Sequence, residues 1–503
     1  MWNSDEGRTV SFWQESSNSE VTGAVDVPAE ADVCIIGGGI AGLTTAYLLS
    51  QAGQKVVVID DGPVAGGETA RTTAHLSWAL DDRVYRIEDW HGEQNARIAV
   101  ESHAAAVNQI EKIVGAESIA CDFSRLDGYL VEAEESDDDL DKEIDALHRL
   151  GFTQVEMVEQ VPGAKHLGRA LRFPNQGQFH ILKYLRGVAR AIENSGGLIC
   201  SHTRVTEWTG GDRPAAITDT GKKIAARSLV LATNYPLQSK LFPVLSAYRT
   251  YAIAIRIAKG AFPRQLVWDT ADPYHYIRIQ ENADHDVLIV GGEDHRTGQA
   301  NDGFVRFERL LSWSRKHFPI EQEIVDRWSG QVLETPDGLG FIGRFSDDEP
   351  NVYMITGDSG MGMTHGTLGA MLVSDLVSGK SNPWSEVYDP TRKTTFPISE
   401  TVPEIIDSTL PYADWLKGGE VSSVGDIPPG DGAIMRDGVS KIAVYRDDDG
   451  VIYKRSAVCK HLGCVVRFNK TEKTWDCPCH GSRYDIDGHV VNGPANAPLD
   501  AAD

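Results

Sequence analysis

The stretch Ala31-Asp32-Val33-Cys34-Ile35-Ile36-Gly37-Gly38-Gly39-Ile40-Ala41-Gly42, continued by LTTAYLLSQAG at 43–53 and Lys55-Val56-Val57-Val58-Ile59-Asp60, decides the fold of most of this chain. An apolar run enters a glycine turn, an apolar helix leaves it, and a second apolar run ends in an acid. Runs without polar alternation suit strands buried on both faces of a parallel sheet. Gly37, Gly39 and Gly42 spell G-x-G-x-x-G. Glycines there permit a tight turn. They also let a pyrophosphate approach the backbone at the helix start, here Ile40 and Ala41, where the dipole favours anions. Asp60 follows Gly42 by eighteen residues, with Asp61 beside it. A carboxylate at that strand end can accept hydrogen bonds from ribose hydroxyls.

The fingerprint occurs once, which implies one dinucleotide, and two later segments favour FAD over NAD. One is Ser228-Leu229-Val230-Leu231-Ala232-Thr233-Asn234, an apolar strand ending at Thr233. The other is Val352-Tyr353-Met354-Ile355-Thr356-Gly357-Asp358, running through Ser359-Gly360-Met361-Gly362-Met363-Thr364 into the helix HGTLGAMLVSDLVSG. That helix start could stabilise negative charge on a reduced flavin ring. Plain sheet strands of a larger α/β domain would leave these glycine-rich strand ends unexplained.

The last forty-five residues carry a second pattern: Cys459-Lys460-His461-Leu462-Gly463-Cys464, then Cys477-Pro478-Cys479-His480-Gly481-Ser482. Cys459 and Cys477 as thiolate ligands, with His461 and His480 as imidazole ligands, are what a Rieske 2Fe-2S centre needs. Neutral imidazoles on one iron make reduction easier than four thiolates do. A four-ligand zinc site is the rival reading. It does not explain the extra cysteine pair, the flanking glycines or Ser482.

Both patterns resemble known families. Residues from about 31 to 385 are similar to the D-amino-acid oxidase, sarcosine oxidase and glycine oxidase family of FAD enzymes. The likeness rests on GGGIAGLTTAYLL, VVVIDD, the loop Gly66-Gly67-Glu68-Thr69-Ala70-Arg71-Thr72-Thr73-Ala74-His75-Leu76, the Ala232-Thr233-Asn234 segment and TGDSGMGMT. It implies that Arg71, Thr72, Thr73 and Leu76 wrap the flavin and its phosphates, and that the Val205 backbone touches the adenine. It also implies that Gly357, Gly360, Gly362, Met363 and Thr364 meet the cofactor, and that FAD is held noncovalently, because Arg71 stands where some relatives carry a linking histidine. The C-terminal segment resembles Rieske domains of the quinol-oxidising respiratory type. That likeness implies a Cys464–Cys479 disulfide between the cluster loops, hydrogen bonds from Ser482 and Tyr484 to cluster sulfurs, and a covering loop at Gly493-Pro494-Ala495.

The expected fold is an α/β, Rossmann-like FAD-binding domain with an antiparallel-sheet substrate domain, plus an all-β Rieske domain. The expected boundaries are an arm at 1–30, an oxidoreductase domain at 31–385, a linker at 386–410 and a Rieske domain at 411–503. The substrate subdomain falls at about 120–160 and 243–333, where 250–257, 275–280 and 286–292 alternate like strands. Candidate catalytic residues are His295, Arg278, Tyr251 and His75, with Tyr276, Trp328, His365 and Arg256 also able to face the flavin. The polar cluster from Gly291 to Gly298 reads as an ion-paired turn or part of a site. None of these is compelling, because flavin oxidation of a C–N bond in this family needs no obligatory protein base.

The net charge is −25, of which residues from 411 onward contribute −3. Such acidity argues against nucleic acid and anionic membrane partners. The sequence has no run of membrane-spanning length and no secretion-type start. Cys34, Cys121 and Cys200 are scattered, as packed thiols are, so a cytoplasmic protein is expected. The reading is an FAD-dependent oxidoreductase that oxidises a small amine or amino acid and passes electrons through the cluster to an external acceptor. The alternatives are a reductase running in reverse from an external donor protein, and a non-catalytic redox sensor.

Overall fold

The computed structural model describes residues 9–16, 26–133, 139–164, 166–237, 245–318, 320, 324–392 and 410–502. The apolar runs that open the chain become the centre of an eight-stranded sheet. Its strands lie in the order Phe341–Arg344, Val352–Thr356, Lys223–Leu231, Glu30–Ile36, Val56–Ile59, Leu198–Cys200, with Ala215–Thr218 attached to Lys223–Leu231 and Val205–Thr209 attached in turn to Ala215–Thr218. The central pairings are parallel, with Ile36 beside both Ile59 and Leu231. Helices Ile40–Gln51 and Gly362–Val377 cover one face of this sheet. The carboxyl ends of four strands therefore open together, at Gly37, Asp60, Ala232 and Gly357.

A nine-stranded sheet stands over this opening. It runs Ile324–Glu334, Ser246–Ala258, His285–Arg296, His275–Glu281, Leu266–Asp269, Ser124–Val131, Ala170–Gln178, His75–Leu76, with Glu156–Val158 on Ala170–Gln178. All but one of its pairings are antiparallel; Leu266–Asp269 runs parallel to Ser124–Val131. Ala170–Gln178 and His75–Leu76 join this sheet although the sequence reading put them with the nucleotide segments. Pro174 and Asn175 disguise the longer strand. They form a bulge opposite Asp127, with Asn175 at a φ of 59°, and proline is tolerated at such a bulge.

The acidic run that begins at Glu132 ends at Asp139, whose carboxylate caps the helix Leu140–Arg149 by accepting from the Asp141 and Lys142 N–H groups; residues 134–138 lie outside the described residues. Of the expected linker, 386–392 packs on the oxidoreductase. Tyr388 is fully buried, and Arg392 pairs with Asp337 and stacks on Phe341. The remainder, 393–409, lies outside the described residues.

The C-terminal lobe is built from a three-stranded sheet, Asp431–Asp437, Ser440–Arg446 and Ile452–Ser456, and a four-stranded one, Arg467–Asn469, Thr474–Asp476, Arg483–Tyr484 and Val490–Asn492. Among the described residues, a buried carboxylate is the most connected of the groups that fix it to the rest. The Glu472 side chain is fully buried, 3.8 Å from Arg71 and 3.6 Å from Arg249, and accepts from the Thr9 hydroxyl at 2.7 Å and from the Ser329 hydroxyl. The arm joins the same knot. Its helix Phe12–Glu15 buries Trp13, whose indole donates to the Thr72 carbonyl, while Ser11 donates to the Ala70 carbonyl. No helix among the described residues is long and apolar enough to cross a membrane.

Candidate functional site

A cavity of about 360 Å³ lies between the parallel-strand ends and the nine-stranded sheet. Gly37, Gly39, Ile40, Ala41, Asp60, Asp61, Arg71, Thr72, Thr73, Val205, Thr233, Gly357, Gly360, Gly362, Met363 and Thr364 all line it. Two expected residues do not. Leu76 is buried against Gly177. Gly42 packs helix on strand: a Cβ there would sit 1.9 Å from the Gly37 carbonyl oxygen.

The lining fits a dinucleotide. Gly37 adopts a φ of 108° under the Ala232 carbonyl, which a Cβ would strike. The Asp60 carboxylate accepts from the Gly38 N–H at 2.5 Å and the Gly62 N–H at 2.9 Å. Burial, with Asp61 alongside, pushes its pKa up to about 7 against those two donors, so further hydroxyl donors there would be welcome. Gly39 has no room for a side chain: its Cβ would lie 2.9 Å from the Thr69 hydroxyl, which accepts from Ile40 N–H. Gly39→Val is therefore expected to abolish FAD retention, read as flavin absorbance per purified chain; full absorbance would refute the placement.

The catalytic candidates divide. His75 lines the cavity, but both ring nitrogens are engaged. One faces the Ile277 carbonyl and must donate, so the other accepts from the Thr73 hydroxyl, both at 3.0 Å. Burial and the nearby Arg278 pull its pKa down to about 3, so it is a neutral, positioned ring and no base. Arg278 is turned away from the cavity. It donates to the Ala74 and Phe179 carbonyls and to Gln280 and lies over Trp13, so it cannot clamp a substrate carboxylate. Tyr251 and His295 bond each other at 2.9 Å, outside the cavity lining and next to the C-terminal lobe, where a Cβ on Gly303 would touch both Tyr251 and Thr471. Trp328 donates to the Arg71 carbonyl, and Arg256 is a half-exposed partner of Asp284.

The polar cluster from Gly291 to Gly298 ends the strand His285–Arg296 and runs into an ion-paired docking segment. Glu293 faces His275 and Arg309, Gly298 packs on Pro478, and Gln299 donates to the Pro478 carbonyl. Arg71 also serves docking, since its guanidinium bonds Thr9 and the Ser329 carbonyl. His365 and Tyr276, expected at the flavin face, do line the cavity, together with Thr250, Trp268, Tyr274, Asp81, Tyr235 and Gln331, which no sequence motif marks.

The cluster loops come together as a buried set. Cys464 and Cys479 form a disulfide. The His461 and His480 rings stand 4.9 Å apart at 89°, and both Nδ1 atoms are shielded from solvent without a partner. Buried polar atoms are rarely left so; two iron-facing imidazoles account for them. Tyr484 Oη accepts from Lys460 N–H at 3.0 Å, so its own proton points to Cys459 Sγ at 3.3 Å. The Cys459 thiol is held below its ordinary range, first by Cys477 and then by Tyr484, the His461 N–H and Ser482, against burial. Ser482 Oγ accepts from Ala495 N–H, and the loop Val490–Ala495 walls the flavin-side cavity. Tyr235, on the cavity lining, meets His461 edge-on with ring centres 6.4 Å apart.

A nucleotide cavity beneath an antiparallel lid, abutted by a two-cysteine, two-histidine loop pair, defines a flavin oxidoreductase carrying a Rieske centre. Residues 32–376 match the family described as FAD dependent oxidoreductase (DAO), and 418–502 match the Rieske [2Fe-2S] domain. The chain belongs to the DAO family of FAD-dependent oxidoreductases and binds FAD and a 2Fe-2S cluster. It is 32% identical over 501 residues to the Rieske 2Fe-2S iron-sulfur protein YhfW of Bacillus subtilis, covering 98% of this chain and 97% of that one. It is 25% identical over 391 residues to gamma-glutamylputrescine oxidoreductase of Escherichia coli, covering 74% and 89%. Glycine oxidase from Geobacillus kaustophilus superposes with a TM-score of 0.62 at 19% identity, covering 73% of this chain and all of that one.

Proposed function

We propose that the protein is an amine or amino-acid dehydrogenase whose electrons leave singly through the Rieske centre to an external one-electron acceptor, as a protein or small molecule. The observation that carries this is the shared wall: residues 490–495 of the C-terminal lobe line the nucleotide cavity, and Tyr235 lines that cavity while touching His461. Two redox sites in such contact suit electron transfer between them. Bound FAD supplies a two-electron acceptor for the hydride of the C–N carbon, and the cluster supplies a one-electron outlet.

The residues proposed to hold FAD are Gly37, Gly39, Ile40 and Ala41 at the pyrophosphate, Asp60 and Asp61 at the ribose, Val205 at the adenine, and Thr72, Thr73, Thr233 and the 357–364 turn around the ring. Gly42 keeps helix and strand in contact behind them. Cys459 and Cys477 hold one iron; His461 and His480 hold the other through Nδ1. Tyr484 and Ser482 donate toward sulfur and raise the potential. In balance, the substrate loses two electrons and two protons to become an imine, which water cleaves to a carbonyl and an amine. Two equivalents of acceptor take the electrons. The names of gamma-glutamylputrescine oxidoreductase and glycine oxidase support the C–N class.

Purified protein is expected to contain two irons and two acid-labile sulfides per chain, with a Rieske-type paramagnetic signal on reduction. Zinc at full occupancy without sulfide would end the cluster assignment. Direction is tested by anaerobic mixing with amines and amino acids: flavin bleaching should precede cluster reduction. Cluster reduction first, from an external donor, would reverse the proposed flow.

A further inference from the structure

The wall of the cavity facing the nucleotide is aromatic and acidic. Trp268 and Tyr276 lie directly opposite each other on paired strands, and Tyr274 stacks on Tyr276 at 5.4 Å. Glycines on neighbouring strands leave room for these rings. A Cβ on Gly128 would lie 2.7 Å from Trp268, and one on Gly291 would lie 2.3 Å from Tyr276. Asp81 lies on the lining itself, and Asp358 lines it from the turn at the ring, where it accepts from Leu333 N–H. Behind Tyr274 and Thr250, which stand at its carboxylate, is Asp294. A bulge at Glu293, with a φ of 58°, shifts the register there, and such bulges re-aim side chains. One Asp294 oxygen is shielded from solvent and has no partner.

Among the described residues the cavity lining contains no lysine, and its two arginines belong to other work. Arg71 is committed to Thr9, the Ser329 carbonyl and Glu472. Arg204 donates to the Asn496 carbonyl on the nucleotide side. Two buried arginines of the sheet lie outside the lining: Arg278 donates through its terminal nitrogens to backbone carbonyls and Gln280, and Arg249 faces Glu472 and donates to Ser329; Arg83 turns to the Asp81 carbonyl. A substrate carboxylate would enter without a cationic partner and against several acids, a costly arrangement. An alkylammonium would meet ring faces and carboxylates, which attract it.

We propose that this wall binds the substrate as an alkylammonium cation, and that the substrate is an aliphatic amine bearing no carboxylate on the carbon next to the reacting nitrogen. The inference rests on the C–N dehydrogenase reading above and narrows its substrate. Burial holds the Asp294 carboxyl up at about 7, and a neighbouring cation would favour its ionised form.

The full-length holoprotein is mixed anaerobically with matched pairs, 1,4-diaminobutane against ornithine and 1,5-diaminopentane against lysine, and flavin bleaching is followed. Each diamine should bleach the flavin at least about tenfold faster than its carboxylated partner, the ratio expected for roughly one well-made cation contact. Equal or faster bleaching by the amino acids would overturn the inference and leave the dehydrogenase reading standing. A second measurement does not need turnover. Tetramethylammonium and benzoate are titrated separately while the flavin spectrum is recorded. Tetramethylammonium should perturb it and benzoate should not, and Asp294→Asn should weaken the cation's effect about tenfold at unchanged flavin content. A response to benzoate alone, or to neither, would overturn the inference. Cation binding without bleaching by any amine or amino acid would support the inference and count against the dehydrogenase reading.

Discussion

His461→Ala is expected to remove the cluster and, with it, turnover to any external one-electron acceptor. The imidazole is one of two nitrogens on its iron, and an under-ligated iron does not hold. The cavity lining contains neither His461 nor any other cluster ligand, so flavin content and single-turnover bleaching by substrate should survive. The contrast between lost turnover and intact bleaching is the measurement. A variant that lacks iron yet turns over at the parental rate with its natural acceptor would take the cluster off the electron path.

Glu472→Ala is expected to cost about 3–5 kcal/mol of stability, the range for removing one member of a buried ionic set. Arg71 and Arg249 would lose the carboxylate between them, and Thr9 and Ser329 would lose their acceptor. Denaturant unfolding of the holoprotein, followed at the first transition, measures this. A loss below about 1 kcal/mol would place the ion set among the near-neutral ones. The pH dependence has a fixed sign. Burial raises the Glu472 carboxyl, but Arg71, Arg249 and Arg483 outweigh it and leave it below its ordinary value of 4.5. Its contribution is therefore complete at neutral pH and is lost as the pH falls through the lowered native value. In the alanine variant that acid-dependent loss should be missing.

What the sequence revealed, it revealed through residues whose chemistry admits few substitutes. Gly37 sits at a φ and under a carbonyl that only glycine tolerates, and cluster ligands must be cysteine and histidine at a fixed spacing. Both could be read without any contact map. Arg278 could not. An arginine on a strand suits a substrate clamp as well as a backbone brace, and only the positions of the Ala74 and Phe179 carbonyls decide. Tyr251 and His295 lie away from the lining for a related reason. The register shift near Glu293 changes which side chains reach the cavity, and a bulge leaves no mark in the period-two pattern. Glu472 gave no sign in the sequence, because its partners come from Thr9, Arg71, Arg249 and Ser329, scattered along the chain.

That scatter bears on how the protein is made. Thr9 and Glu472 are 463 positions apart. During synthesis the first helix, the 66–76 loop and the long lid strands all emerge well before the carboxylate that joins them. The two arginines must wait for it, and a loop of that length adds little further entropic cost to closure, since each doubling costs only about 0.6 kcal/mol. Maturation is therefore expected to fall into two stages, a nucleotide-binding lobe that forms as it emerges and a late ionic seal. A chain cut short before residue 472 would keep the first stage and never reach the second.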